Sequence, residues 1–284
     1  MRLIIVPVAD RRECRVALAA AFELAASVRA DVAGYHIRPE HREQGFALGP
    51  LLPDDDVHAA FGVVDPAAAS RSRAARALYE RTAAKHGFAA AERARGAQLH
   101  ASWHEVAGTP ARVFAVVGPV ADLCVVSHPA ASGAGRGRAV LLGALLHSAK
   151  PVLVLPQAAR PTLGKRIVIA WDQSASAAAA VTAALPLLTR AERVVVISAG
   201  RENRLGPKSA HLVRYLAHWG VSAKRERTKG TDVASEIERA CRALRSDLVV
   251  MGAYSHNRFR QLVFGGVTEH MLFRTDLPVF LLHQ

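Results

Sequence analysis

The sequence predicts an α/β protein made of two doubly wound open parallel-sheet domains in tandem. Three observations predict it. Apolar runs of strand length alternate with Ala-rich helical stretches roughly five times in each half, and the runs are near-continuous, as expected of parallel strands covered on both faces. The halves repeat one another. A segment with two prolines, a glycine and no apolar periodicity, PQAARPTLGK (156–165), separates them. The expected layout is a first domain over 1–157, a linker over 158–164 and a second domain over 165–284.

The repeat can be followed element by element. LIIVPVAD (Leu3 to Asp10) and RIVIAWDQ (Arg166 to Gln173) open the halves. ADVAGYHI (Ala30 to Ile37) and ERVVVISA (Glu192 to Ala199) follow the first helices. Further on, both halves show a polar strand, a glycine (Gly108 or Gly230), a helix, and an Asp-Leu pair leading into an apolar strand. Those pairs are Asp122-Leu123 and Asp247-Leu248, and both halves close on a proline and a strand, at Pro151 and Pro278. In such folds ligands bind at the carboxyl ends of the strands, near the point where strand order reverses. Asp172 and Gly252 are expected on that edge. Arg38 to Pro66 is an insertion rich in Pro, Gly and Asp, read as a long surface loop.

Bulk properties exclude several classes. With 51% hydrophobic residues the chain can bury sizeable cores, yet no uninterrupted apolar stretch approaches a membrane span. The start, MRLIIVPVADRR, reads as a first strand and not as a secretory signal, so a cytoplasmic protein is expected. Cys14, Cys124 and Cys241 lie far apart, which argues against a disulfide framework or a zinc site. The net charge is +13, but the basic residues read as scattered and without interleaved aromatics. A solvated basic face is expected, not a nucleic-acid surface. His100 and His104 fall in a strand-like stretch, where their spacing puts them about 13 Å apart, too far for one metal ion. No G-x-S-x-G elbow and no carboxylate pair suits catalysis, so no catalytic residue and no enzyme is expected.

The last 38 residues carry the functional signal. An apolar run ends on Gly252. After two intervening residues stands Ser255, nine more (His256 to Phe264) lead to Gly265, and Gly266-Val267-Thr268 opens an amphipathic helix. A strand ending on glycine, a loop and a glycine-opened helix present backbone N–H groups to an anion. This spacing, with the strands and Asp172 in place, resembles the universal stress protein family in its tandem form, whose ATP-binding members carry G-x2-G-x9-G-(S/T). The resemblance covers nearly the whole chain and is strongest from Gly230 onward.

It implies an adenine-nucleotide alpha-hydrolase-like fold and a stress-response or regulatory role. It also implies an adenine nucleotide, ATP with AMP or ADP as alternatives, in the second half. Asp172 would lie near the adenosine, Ala170 and Ala199 would line its pocket, and Met251 and Gly252 would flank the nucleotide. Gly265, Gly266, Val267 and Thr268 would meet the phosphates, with Ser255 between.

Two positions depart from the family pattern. Ser255 stands for its second glycine, and Gly266 for the hydroxyl residue after its third. Losing that hydroxyl removes a hydrogen bond worth about 1–3 kcal/mol. The alternative is a nucleotide-independent interaction scaffold. The first half departs further, with Ser127 for Gly252, Ala9 for the strand-end Asp, and a glycine-rich loop over His128 to Arg138. A shorter last helix is expected there from Gly143-Ala144. Family edge strands pair domains, so a homodimer or a pseudo-dimer within the chain is expected.

Overall fold

The computed structural model describes residues 1–39, 66–90, 98–129, 134–158, 162–253 and 266–283. The first half runs β1 (Leu3–Pro7), α1 (Arg12–Val28), β2 (Asp31–Arg38), α2 (Pro66–Lys85), β3 (Ala89–Ala90), β4 (His100–Ala107), α3 (Pro110–Val117), β5 (Leu123–Ser127), α4 (Ala134–His147) and β6 (Val152–Leu155). The second runs β7 (Arg166–Trp171), α5 (Ala175–Leu188), β8 (Arg193–Ala199), α6 (Ser209–His218), β9 (Ala223–Thr228), α7 (Val233–Ala243), β10 (Leu248–Ala253), α8 (Gly266–Phe273) and β11 (Val279–His283). Each expected strand forms where its apolar run stands. Most of the 38–66 insertion, and residues 159–161 of the linker, lie outside the described residues.

The strands form one sheet in the order β3-β4-β2-β1-β5-β6-β11-β10-β7-β8-β9. Pairing is parallel within each half. At the seam, β6 and β11 pair antiparallel, with Val279 opposite Val154, Phe280 opposite Leu153 and Leu281 opposite Val152. The expected pseudo-dimer is therefore realised inside the chain. Strand residues alternate between two cores. On the α1, α2, α5 and α6 face, Leu153 and Phe280 pack with Ile4, Val125, Ile169 and Val250. On the other face, Val152, Val154, Val279 and Leu281 pack with Ile5, Cys124, Val168 and Val249. Both cores run through the seam without a break.

The sequence repeat has a physical counterpart in two aspartates. Asp122 accepts hydrogen bonds from the backbone N–H groups of Arg2 (2.5 Å) and Leu3 (3.0 Å). Asp247 does the same for Lys165 (3.1 Å) and Arg166 (2.9 Å). Each ties the start of a half's first strand to the start of its fourth long strand, across the strand-order reversal. The matched glycines also agree, since Gly108 and Gly230 both have positive φ, 147° and 80°.

One helix corrects the sequence reading. The last helix of the first half does not begin at Gly143 but at Ala134, and it passes through Gly135, Gly137 and Gly143. A Cβ at Gly143 would lie 3.0 Å from the carbonyl carbon of Pro110, at the start of α3. That glycine serves close helix packing, which outweighs its weak helix propensity.

Burial works to raise the Asp122 carboxyl, and the N–H groups of Arg2 and Leu3, with the N-terminal ammonium and Lys150, outweigh it and hold the group below the usual aspartate range. A lowered folded-state pKa adds stability above the unfolded value of about 3.9 and loses it as pH falls through the folded value. Asp122→Asn is therefore expected to lower stability at pH 7 by about 1–2 kcal/mol. In urea titrations the gap between variant and parent should close below about pH 4.

Candidate functional site

Strand order reverses between β1 and β5 in the first half and between β7 and β10 in the second. Because β6 and β11 run antiparallel, the two carboxyl edges point to opposite sides of the sheet. The protein thus has two separate candidate edges.

On the second edge the structure places most of the expected residues. Ala170 of β7 pairs with Met251 of β10, and both face the α7 and α8 core. Ala199 ends β8 and is half-buried. Gly266, Val267 and Thr268 form the first turn of α8, with Gly266 exposed, Val267 packed against the core of Met251, and Thr268 only 7% exposed. Ser255 and Gly265 lie outside the described residues, as do His256, Arg258 and Arg260.

Asp172 is exposed, and its position is built locally. Its Oδ1 accepts from the Ser174 backbone N–H (3.0 Å) and hydroxyl (2.5 Å), and Ser174 Oγ in turn accepts from the Ala177 N–H (3.1 Å). Ser174 is thereby the N-cap of α5, and Asp172 orients the cap. Gly252 lies beside the same helix start. A Cβ there would lie 2.5 Å from Ala177 N and 2.6 Å from Ser176 Oγ, so the close approach of α5 requires this glycine. At the matching place in the first half, the Ser127 hydroxyl donates to the Glu13 carbonyl in the first turn of α1 (2.9 Å).

A further contact was not foreseen from the sequence. Residues 200–208 dock over the end of β7. The Asn203 N–H donates to Gln173 Oε1 (2.5 Å), Gln173 Nε2 donates to the Asn203 carbonyl (3.2 Å), and Trp171 Nε1 donates to the Pro207 carbonyl (2.9 Å).

The first edge holds a cleft of about 470 Å³ at the β1/β5 reversal. The ends of β1, β2 and β5 line it through Val8, Ala9, Tyr35 to Arg38, Ser127 and His128. Helices add Asp10, Arg11, Glu13 and Cys14 from the start of α1, Arg71 from α2, and Arg136, Gly137 and Val140 from α4. Four arginines therefore stand against two acids, beside apolar wall. Arg11 lies 3.9 Å from Glu13, and Arg38 lies 3.6 Å from Glu105. The N-cap of α1 is Arg11, whose side chain makes no capping hydrogen bond among the described residues, so the positive end of that helix opens here without a cap from that residue. His36 Nδ1 is held 2.9 Å from the Val8 carbonyl, and the Tyr35 ring stacks on His104 at 4.8 Å.

The titratable groups of this cleft suit binding better than chemistry. Burial pushes the Cys14 thiol up, ahead of the opposing hydrogen bond from the Ala9 backbone, so it stays protonated and a weak nucleophile. Burial pushes His128 down to about 4, against the pull of Asp276, so its imidazole is neutral. Among the described residues, His128 Nε2 is buried without a hydrogen-bond partner. A second cavity, of about 450 Å³, lies at the opposite ends of the second half's strands, beside Arg166, Asp247 and Asp276. Among the described residues no cluster of His, Cys, Asp or Glu is arranged for a metal ion, and no helix is long and apolar enough to cross a membrane.

With this geometry in hand, comparison with known proteins is informative. Residues 199–283 match the Universal stress protein family. A universal stress protein from Archaeoglobus fulgidus DSM 4304 superposes with a TM-score of 0.69 at 15% identity, covering 99% of this chain and 98% of its own. A putative universal stress protein from Pseudomonas aeruginosa UCBPP-PA14 gives 0.60 at 17%, covering 100% and 93%. A functionally unknown protein from Pseudomonas aeruginosa PAO1 gives 0.59 at 16%, covering 100% and 92%. The whole chain thus shares the fold of these proteins, and residues 199–283 carry the family sequence match. No curated protein matches the chain by sequence.

Gly252→Ala is expected to destabilise the ligand-free protein by about 1–3 kcal/mol, because the added carbon collides with the backbone of α5. Urea unfolding without nucleotide measures it. A variant as stable as the parent would contradict the packing account of this glycine.

Proposed function

We propose that the protein is a universal-stress-type regulatory protein of the cytoplasm that binds an adenine nucleotide, ATP in the first instance, in the cleft of its first half. The observation that carries this reading is the cleft itself. It lies at a strand-order reversal, is lined by four arginines against two acids, and offers the uncapped start of α1 to an anion. Its volume falls in the range of small-molecule sites. The role is binding, since the cleft's thiol and imidazole are both held neutral and no residue is assigned to catalysis.

The motif from Gly252 to Thr268 supports a second nucleotide site in the other half, in line with its spacing. A nucleotide-independent scaffold is the competing reading for that half. It is favoured by the local roles of Asp172 and Gly252 in fixing α5, and by the docking of residues 200–208 on Gln173. In either case the chain acts as its own dimer, because β6 and β11 satisfy each other.

Isothermal titration of ATP into the purified protein tests the reading. Saturable binding is expected, weakened roughly tenfold or more by Arg136→Ala through loss of a charge-assisted contact. Asp172→Ala is expected to leave that binding unchanged. The reverse pattern would assign the nucleotide to the second half. No heat at millimolar ATP would overturn nucleotide binding altogether.

A further inference from the structure

The sequence reads as scattered in charge, but the structure gathers much of that charge at one end of the sheet. Between Gly200 and Gly230 stand eight lysines and arginines against two glutamates, six of the thirteen net positive charges of the chain. All eight are exposed. Among the described residues, one ion pair offsets them, Arg227 to Glu202 at 4.0 Å. They belong to the loop after β8, to α6, and to β9, which is the sheet's outer strand, with Lys229 just beyond it.

Two exposed aromatics lie at the end of α6, the helix that packs on β9. Tyr215 and Trp219, on the last turn of α6 and its C-cap, are 37% and 52% exposed, with ring centroids 6.5 Å apart in an edge-on arrangement. The side of β9 that faces α6 follows from the core. Ala223 of β9 packs on the same cluster as Leu212 and Leu216 of α6. By strand alternation Arg225 and Arg227 then project to the α6 side of the sheet. Charged residues on an outer strand also deter edge-to-edge pairing. That role does not call for two partly exposed rings at the end of the neighbouring helix.

We propose that the α6–β9 face is a binding surface for single-stranded nucleic acid, with Tyr215 and Trp219 stacking on bases and Arg225, Arg227 and Arg214 meeting phosphates. The chemistry commits to this partner. A dense positive field attracts any polyanion, but paired exposed aromatics add affinity only for a partner with flat π-faces along its chain. A single strand offers both, and a duplex hides its bases. The surface is separate from the first-half cleft and does not rest on the nucleotide reading of that cleft.

Fluorescence anisotropy with a labelled single strand of about 15 nucleotides, DNA and RNA in turn, tests the proposal on the full chain. Binding is expected at about 50 mM salt, and log affinity should fall with log salt by about 0.7 for each phosphate contacted. Trp219→Ala, at an exposed position, should weaken binding roughly 5- to 150-fold, and Arg225→Glu should weaken it and flatten the salt slope. ATP titration of both variants should match the parent, which separates failure of this surface from failure of the cleft. Absence of binding at low salt would overturn the proposal. So would tighter binding to anionic phospholipid vesicles or to an acidic polypeptide, or a Trp219→Ala variant that binds the strand as well as the parent, since each makes the surface a general anion attractor.

Discussion

The antiparallel pairing of β6 with β11 is the constraint on which the rest of this structure depends. Each half is an open parallel sheet, and an open sheet ends in strands with unpaired backbone groups. The two central edges meet as Val152 to Val154 against Val279 to Leu281, and those residues are buried on both faces. One contact therefore removes two edges and fuses four partial hydrophobic layers into two continuous ones. The outer edges that remain are β3, only two residues long, and β9, which is heavily charged. Both are poor templates for further pairing.

The same pairing sets the functional geography. An antiparallel seam turns the carboxyl edge of one half away from that of the other, so the first-half cleft and the Gly252 motif cannot share a ligand. It also brings the loop before β11 to the side of the first-half cleft, where Asp276 acts on His128. Within each half, Asp122 or Asp247 holds the first strand against the fourth long strand at the reversal. This is where the sheet must be firm if the opposite ends of the same strands are to shape a cleft.

Much of this was legible in the sequence. Parallel strands buried on both faces show as apolar runs, and LIIVP, RIVIAW and PVFLLH announce themselves in that way. The duplication was visible because Asp122 and Asp247 do the same backbone work at matching positions of the two halves. The start of α4 was not legible, since Gly135, Gly137 and Gly143 lower helix propensity and only packing on α3 restores the helix. The role of Gly252 was hidden for a similar reason. A glycine at a strand end reads as room for a ligand, whereas the neighbour here is the start of α5. The first-half cleft was missed because its arginines come from α1, β2, α2 and α4, and no motif joins positions 11, 38, 71 and 136. The charge-rich stretch from Gly200 to Gly230 stands in the sequence, but only the structure shows that α6 and the outer strand β9 carry part of it side by side.

Hydrogen–deuterium exchange, read on peptides spanning β6 and β11, tests the central claim most directly. If the seam is the keystone, residues 152–155 and 279–283 exchange as slowly as the central strands β1 and β7, by unfolding of the whole sheet. Rapid exchange at the seam, while β1 and β7 stay protected, would show two halves that fold and open independently, and would contradict the account.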